Sequence, residues 1–155
     1  MDLEILSFEK AMKYIPPKNS YGIRILNSHW EAYNPDLPSH DHWLKINEYK
    51  FDDIWPRNWK EFHGEDELLN IYGWNHGRSV LFDENLAKKI LDDFEEVKSG
   101  VENIMIHCVH GANRSPAVGM AMNDIYGWEI EGLEKKFPKY RKYVYEIMVG
   151  ASKTR

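Results

Sequence analysis

The sequence is short of cysteine and of long apolar runs, and both shortages restrict what the protein can be. Its 155 residues include a single cysteine, Cys108, so no disulfide can form within the chain. This cysteine usage is typical of a reducing compartment, and we expect a cytoplasmic location. Residues 1–10 carry acidic side chains and no long apolar stretch, which predicts neither a signal peptide nor a membrane anchor.

An excess of positive charge is also absent. The chain has 20 Lys and Arg against 25 Asp and Glu, which gives a formal net charge of -5. Such a surface repels phosphate backbones and anionic membranes at long range unless a local basic patch is present. We therefore expect no membrane partner and no general affinity for nucleic acid.

Apolar and aromatic residues, by contrast, are plentiful enough to build a core. Hydrophobic residues make up 43% of the chain and aromatic residues 14%, more than a disordered chain carries. A chain of this length usually forms one domain. We predict a single domain over residues 1–155 that exists as a monomer.

The order of the predicted elements indicates the fold class. Strands are predicted at residues 3–8, 21–26, 43–51 and 101–107. Helices are predicted at residues 8–15, 83–98, 115–127, 131–136 and 139–149, with short helices around Trp59 and Leu68. Strands that alternate with helices around one core are typical of an α/β fold with a mostly parallel central sheet flanked by helices. Ligands of such sheets gather at the carboxyl ends of the strands.

A motif with strong chemical content follows the last predicted strand. Residues 107–115 read His-Cys-Val-His-Gly-Ala-Asn-Arg-Ser, so five residues separate Cys108 from Arg114 at a junction between strand and helix. The spacing predicts a phosphate cradle, in which backbone N–H groups and a helix N-terminus surround the anion. The predicted cradle residues are Val109, His110, Gly111, Ala112, Asn113 and Arg114.

The residue types in the cradle predict nucleophilic chemistry. Gly111 allows a tight backbone turn, and Arg114 offers a planar fork to two phosphate oxygens. The same positive field favours thiolate over thiol at Cys108, which makes its sulfur the nucleophile. Attack on phosphorus would give a phosphocysteine that water hydrolyses.

Both chemical steps need a group that gives and takes a proton, and a carboxylic acid is the usual one. Two adjacent aspartates, Asp52 and Asp53, end the third predicted strand. Strand alternation puts Asp53 on the face that carries Tyr49 and Phe51, and Asp52 on the other. We therefore favour Asp53 as the general acid, with Asp52 as the alternative.

Residues 107–115 resemble the signature of the protein tyrosine phosphatase superfamily, and residues 115–118, Ser-Pro-Ala-Val, are similar to its dual-specificity branch. Residues 51–54 are similar to the acid loop of that family, and residues 137–148 to its closing helix. Two features depart from the pattern. The stretch between Asp53 and Cys108 is longer than in most small members, and Trp55-Pro56 is followed by Arg57 where larger members have aspartate.

The resemblance implies a role for each site residue. Cys108 is the nucleophile, Arg114 binds phosphate, and Asp53 is first the general acid and then the base. Ser115 eases the departure of sulfur, and His107 supports the thiolate. No metal or organic cofactor is implied.

Three functions compete at this point. A phosphatase for phosphotyrosine, and for phosphoserine or phosphothreonine, in proteins is favoured. His110 and Asn113 are similar to RNA 5′-triphosphatases of the same superfamily, which keeps an RNA 5′ end as an alternative substrate. A non-catalytic phosphopeptide-binding module is the third, although intact Cys108 and Arg114 argue against it.

Two other sets of side chains could in principle bind a ligand. His40, Asp41 and His42 lie in a predicted loop, and no further ligand is suitably spaced to join them, so we expect no metal there. Trp55, Trp59 and Trp74 either line the cleft or pack in the core, and the core is the commoner use of such residues.

Overall fold

The computed structural model describes residues 1–28, 35–56 and 79–154. The described strands are β1 Asp2–Leu6, β2 Ser20–Leu26, β3 Trp43–Lys50 and β4 Asn103–His107. The described helices are α1 Phe8–Ala11, α2 Glu84–Val97, α3 Arg114–Tyr126, α4 Leu133–Lys136 and α5 Lys142–Lys153, with a short 3₁₀ turn at Lys98–Gly100.

The four strands form one sheet in the order β1-β4-β2-β3, and every pair is parallel. The predicted α/β class with a parallel central sheet is therefore confirmed. Because all four strands run in one direction, their carboxyl ends lie at the same edge of the sheet. The segments that follow Leu6, Leu26, Lys50 and His107 meet there.

Side chains of β4 divide the core between the two faces of the sheet. Ile104 and Ile106 join the main cluster, which α2, α3 and α5 cover. Met105 points the other way, as strand alternation requires, and packs in a smaller cluster with Ala11 and Leu37. Helices thus cover the face that carries most of the buried residues.

Helix α2 forms as its sequence predicts. The Asp83 side chain caps it by accepting a hydrogen bond from the Leu86 N–H at 2.9 Å. The apolar side chains on its predicted stripe are buried or half-buried against the main cluster; they are Leu86, Ile90, Leu91, Phe94 and Val97. The helix then tightens into the 3₁₀ turn before β4.

The first strand and helix are shorter than predicted. β1 ends at Leu6 because Ser7 caps α1, its hydroxyl accepting from the Lys10 N–H at 3.2 Å. The prediction of a helix to residue 15 is wrong, since α1 ends at Ala11. The N–H groups of Lys13 and Tyr14 bond to carbonyls three residues back, and Pro16 restricts the residue before it.

The last helix is displaced along the chain. It begins at Lys142 rather than at residue 139 and continues to Lys153. Lys139 and Arg141 stay outside it because their backbone groups bond to Asn113, at 2.7 and 2.9 Å. The short helices predicted around Trp59 and Leu68 lie outside the described residues. No helix in the described part of the chain is long and apolar enough to cross a membrane.

Candidate active site

The predicted phosphate cradle lies between β4 and α3, at the edge where the carboxyl ends of the strands meet. Helix α3 begins at Arg114, one residue before the predicted start. Residues 108–114, which we call the phosphate loop, therefore end at a helix N-terminus. Such a position favours an anion because helical N–H groups and the helix dipole point toward it.

The phosphate loop curls around the sulfur of Cys108, which is buried. The Gly111 N–H donates to Cys108 Sγ at 3.2 Å, and Ser115 Oγ lies 3.2 Å from the same sulfur. In the described part of the chain, the N–H groups of Val109, His110, Ala112 and Asn113 donate to no protein atom. The loop can thus offer both a nucleophile and free donors to one ligand.

Gly111 fits a close contact between the phosphate loop and the end of β1. Its φ is 70°, in the left-handed region that favours glycine. A Cβ at this position would lie 2.6 Å from the Ser7 nitrogen and 2.7 Å from the Leu6 carbonyl carbon. The Phe8 N–H also donates to the Val109 carbonyl at 3.0 Å. The β1–α1 junction therefore supports the loop from one side.

Arg114 is oriented by groups from two other strand ends. Its Nη1 donates to the Phe51 carbonyl at 2.7 Å and to Asn27 Oδ1 at 2.8 Å. Within the described residues, its Nε and Nη2 have no acceptor. One edge of the guanidinium is thus held by the protein, and the other can bind two oxygens of a phosphate.

His107 lies behind the loop in a buried ionic network. Arg24 Nε donates to His107 Nε2 at 2.9 Å, so the ring proton is on Nδ1, which lies 3.2 Å from the Cys108 carbonyl oxygen. Arg24 also binds Glu48 and the Pro35 carbonyl, each at 2.8 Å. Burial, reinforced by the charges of Arg24 and Arg114, lowers the pKa of His107 to about 4. The imidazole is therefore neutral near pH 7.

Asp52 and Asp53 point to different partners. Asp52 is buried, and among its contacts it accepts hydrogen bonds from Ser28 N–H at 3.1 Å, Ser28 Oγ at 2.6 Å and Val80 N–H at 2.7 Å. These contacts join the ends of β2 and β3 to the segment before α2. Asp52 thus has a structural task that occupies both of its oxygens.

Asp53 is half-buried and faces α5. Arg141 Nε donates to Asp53 Oδ1 at 2.8 Å, and Arg141 Nη2 to Oδ2 at 3.2 Å. The Arg141 guanidinium also stacks on Trp55, its central carbon 4.3 Å from the ring centroid. Trp55 is buried and packs in the main core, whereas Trp59 and Trp74 lie outside the described residues.

Three partners of the site were missed by sequence reasoning. Asn27, Arg24 and Arg141 each contact a predicted site residue from another element. Only Arg24 carried a signal, as the one charged residue in a strand that is otherwise uncharged. Asn27 lies in a predicted loop and Arg141 in a predicted helix, and polar residues are common in both, so neither indicated a role in the site.

A basic patch next to the phosphate loop was also missed. Residues 135–142 contain five Lys and Arg, against the acidic balance of the whole chain. The four lysines are exposed, and in the described part of the chain none of them takes part in an ion pair; they are Lys135, Lys136, Lys139 and Lys142. Asn113 reaches this segment through its hydrogen bond to the Lys139 carbonyl.

Metal ligands do not gather at the site or elsewhere in the described ranges. These residues contain no group of three or more His, Cys, Asp or Glu placed to hold a metal ion. The rings of His40 and His42 contact each other at a tilt of 56°, with centroids 4.4 Å apart, and His42 Nδ1 lies 2.8 Å from the Pro16 carbonyl oxygen.

Comparison with known proteins identifies the fold. The solved structure described as "Crystal structure of Tk-PTP in the active form" is similar to this chain, with a TM-score of 0.51 and 14% sequence identity. The match covers 100% of this chain and 94% of that chain. No protein-family model and no curated protein matches the sequence. The chain therefore has the fold of a protein tyrosine phosphatase: a single α/β domain around a four-stranded parallel sheet.

Proposed function

We propose that the protein is a cysteine-dependent phosphatase of the dual-specificity kind, which hydrolyses phosphate monoesters on proteins. The observation that carries this proposal is the environment of Cys108 Sγ. The sulfur lies 3.2 Å from both the Gly111 N–H and the Ser115 hydroxyl, at the N-terminus of α3 and beside Arg114. A thiol surrounded by donors and positive charge is activated as a nucleophile.

The geometry supports a reaction in two steps. In the first, the Cys108 thiolate forms a bond to phosphorus while Arg114 binds two phosphate oxygens. The P–O bond to the leaving group breaks, and Asp53 gives its proton to the departing oxygen. In the second, Asp53 takes a proton from water as the water oxygen attacks phosphorus. The S–P bond breaks, and the Ser115 hydroxyl donates a hydrogen bond to the departing sulfur.

One observation favours a second candidate, an RNA 5′-phosphatase. The basic patch at residues 135–142 borders the phosphate loop and would attract a polyanionic RNA end. The overall charge of -5 opposes long-range attraction, and for that reason we rank a protein substrate first.

Substrate and chemistry can be tested together. Vanadate-sensitive phosphate release is measured from a phosphotyrosine peptide, a phosphothreonine peptide and a 5′-triphosphorylated RNA, with the wild type and with Cys108→Ser. We expect release from the peptides by the wild type alone, because serine cannot supply a thiolate. Tungstate binding to Cys108→Ser controls for folding of the loop.

The remaining outcomes discriminate between the candidates. Release from RNA alone would select the second candidate. Tight binding of the phosphopeptides with no release from any substrate would indicate a binding module. Turnover by Cys108→Ser that equals the wild type would exclude Cys108 as the nucleophile.

A further inference from the structure

Arg141 is a buried cation that lies next to the candidate acid. It precedes α5 directly, and only 5% of its surface is exposed. Burying a guanidinium is costly unless its charge is paired and its donors are used. In its ionised form Asp53 supplies that pairing through two contacts, and the face of the guanidinium is covered by Trp55. The position of Arg141 thus depends on its contacts with Asp53 and Trp55 as much as on the helix that follows it.

The backbone of Arg141 connects the same residue to the phosphate loop. Its N–H donates to the Asn113 carbonyl at 2.9 Å, and the Asn113 side chain returns a hydrogen bond to Lys139 at 2.7 Å. On the other side, Arg114 binds the Phe51 carbonyl, two residues before Asp53. The segment that carries Asp53 is therefore connected to Asn113 through Arg141 and to Arg114 through Phe51.

We propose that Arg141 is a positioning residue for the acid–base steps, which holds the Asp53 carboxyl at a fixed place beside the phosphate loop. This inference rests on the proposed function. The two contacts are unequal, since Nε lies 2.8 Å from Oδ1 and Nη2 lies 3.2 Å from Oδ2. The tighter contact anchors Oδ1, which accepts from Nε whether or not the carboxyl group is protonated. Oδ2 is the oxygen that carries the proton, gives it to the leaving group and later takes one from water.

Loss of Arg141 should therefore affect proton transfer and leave phosphate binding intact. A carboxyl group without its anchor samples several rotamers, and few of them place Oδ2 beside the leaving oxygen. Nitrophenolate leaves without much help from an acid, whereas phenolate needs a proton. The cost should consequently appear with phenyl phosphate and largely disappear with para-nitrophenyl phosphate.

The experiment measures kcat and KM for both esters with Arg141→Gln and Arg141→Lys, each in the wild-type and Asp53→Ala backgrounds. We expect Arg141→Gln to lower kcat on phenyl phosphate by roughly 10 to 100-fold, below the full contribution of a general acid. In the Asp53→Ala background the same change should add nothing, because the group that it positions is gone. Arg141→Lys should restore part of the loss through its single charged donor.

Two measurements separate positioning from general structural support. The inhibition constant of vanadate should be unchanged in Arg141→Gln. Lys88→Gln, which removes the same charge from a half-buried site on α2, should match the wild type with both esters. If Arg141→Gln does not fold, Arg141→Lys retains the charge and provides the same comparison of leaving groups.

Two results would overturn the inference. An equal loss with both esters that adds to Asp53→Ala would indicate a structural role. Faster turnover of phenyl phosphate would show that Arg141 restrains Asp53. Either result, with turnover still dependent on Cys108, would leave the proposed function standing. Undiminished turnover by Cys108→Ser would remove the proposed function itself.

Discussion

At the scale of single residues, the most unusual group is the buried pair of Arg24 and His107. Arg24 donates to a neutral imidazole, and its charge is balanced by Glu48 on the neighbouring strand. The network fixes the tautomer of His107 and places a positive charge behind the loop that carries Cys108. Its integrity depends on His107 remaining unprotonated, since Nε2 must accept the hydrogen bond from Arg24.

We predict that protonation of His107 lowers the stability of the fold in acid. Its pKa in the folded protein is about 4, below the ordinary value of 6.5, so between these values the unfolded chain binds a proton that the folded one does not. The contribution to stability is present above pH 6.5 and is lost as pH falls toward 4. It amounts to about 3 kcal/mol. Urea unfolding at several pH values measures it.

A variant pair isolates this contribution from that of the carboxylates. His107→Gln can still accept a hydrogen bond from Arg24 and does not titrate, so its free energy of unfolding should fall less steeply between pH 6.5 and 4. His40→Gln, at an exposed position, should follow the wild type. Identical slopes for all three proteins would refute the assignment.

At the scale of elements, the site is assembled from four strand ends. β4 leads into the phosphate loop, β2 supplies Asn27, and β3 supplies Phe51 and the two aspartates. β1 contributes contact alone, through the close approach of Leu6 and Ser7 to Gly111. The loop conformation thus depends on an element that carries no predicted catalytic group.

Two glycine substitutions test the role of this contact. Gly111→Ala and Gly127→Ala both place a side chain at positive φ, at 70° and 64°, at a cost of about 1 kcal/mol each. Only the Gly111 position is obstructed, since nothing lies within 4 Å of a Cβ at Gly127. We expect vanadate to bind roughly 10 to 100-fold more weakly to Gly111→Ala alone. Equal affinities would show that the β1 contact does not shape the loop.

At the scale of the whole molecule, both edges of the sheet that the described strands form carry charge. The edge strand β1 holds Asp2 and Glu4, and the other edge strand, β3, holds Lys45, Glu48 and Lys50. Charged edge strands resist pairing with a second chain. Among the described residues the exposed large apolar side chains are few and lie on separate segments; they are Met1, Ile15, Leu44 and Val80.

These features support the prediction of a monomer. Light scattering during gel filtration should give a mass near 18.4 kDa, the mass of one chain. A species of twice that mass that Leu44→Glu converts to monomers would instead locate a contact at β3.

Features that depend on residues close together in the chain could be predicted from the sequence. The phosphate loop was predictable because its nucleophile, its glycine and its arginine all lie within residues 108–114, between a strand and a helix. Helix α2 was predictable because a capping aspartate and a stripe of apolar residues act over a few positions. A mostly parallel sheet was predicted from the alternation of strands with helices. The basic patch could have been read from the sequence as well.

Contacts between residues far apart in the chain became visible only in the folded structure. Asp53 and Arg141 are separated by 88 positions and Arg24 and His107 by 83, so no local pattern links them. Strand alternation separated Asp52 from Asp53, but only the fold gave Asp52 its partners at Ser28 and Val80. The late start of α5 has the same cause. Local propensity favours helix from residue 139, and hydrogen bonds to Asn113, formed only in the folded chain, delay it.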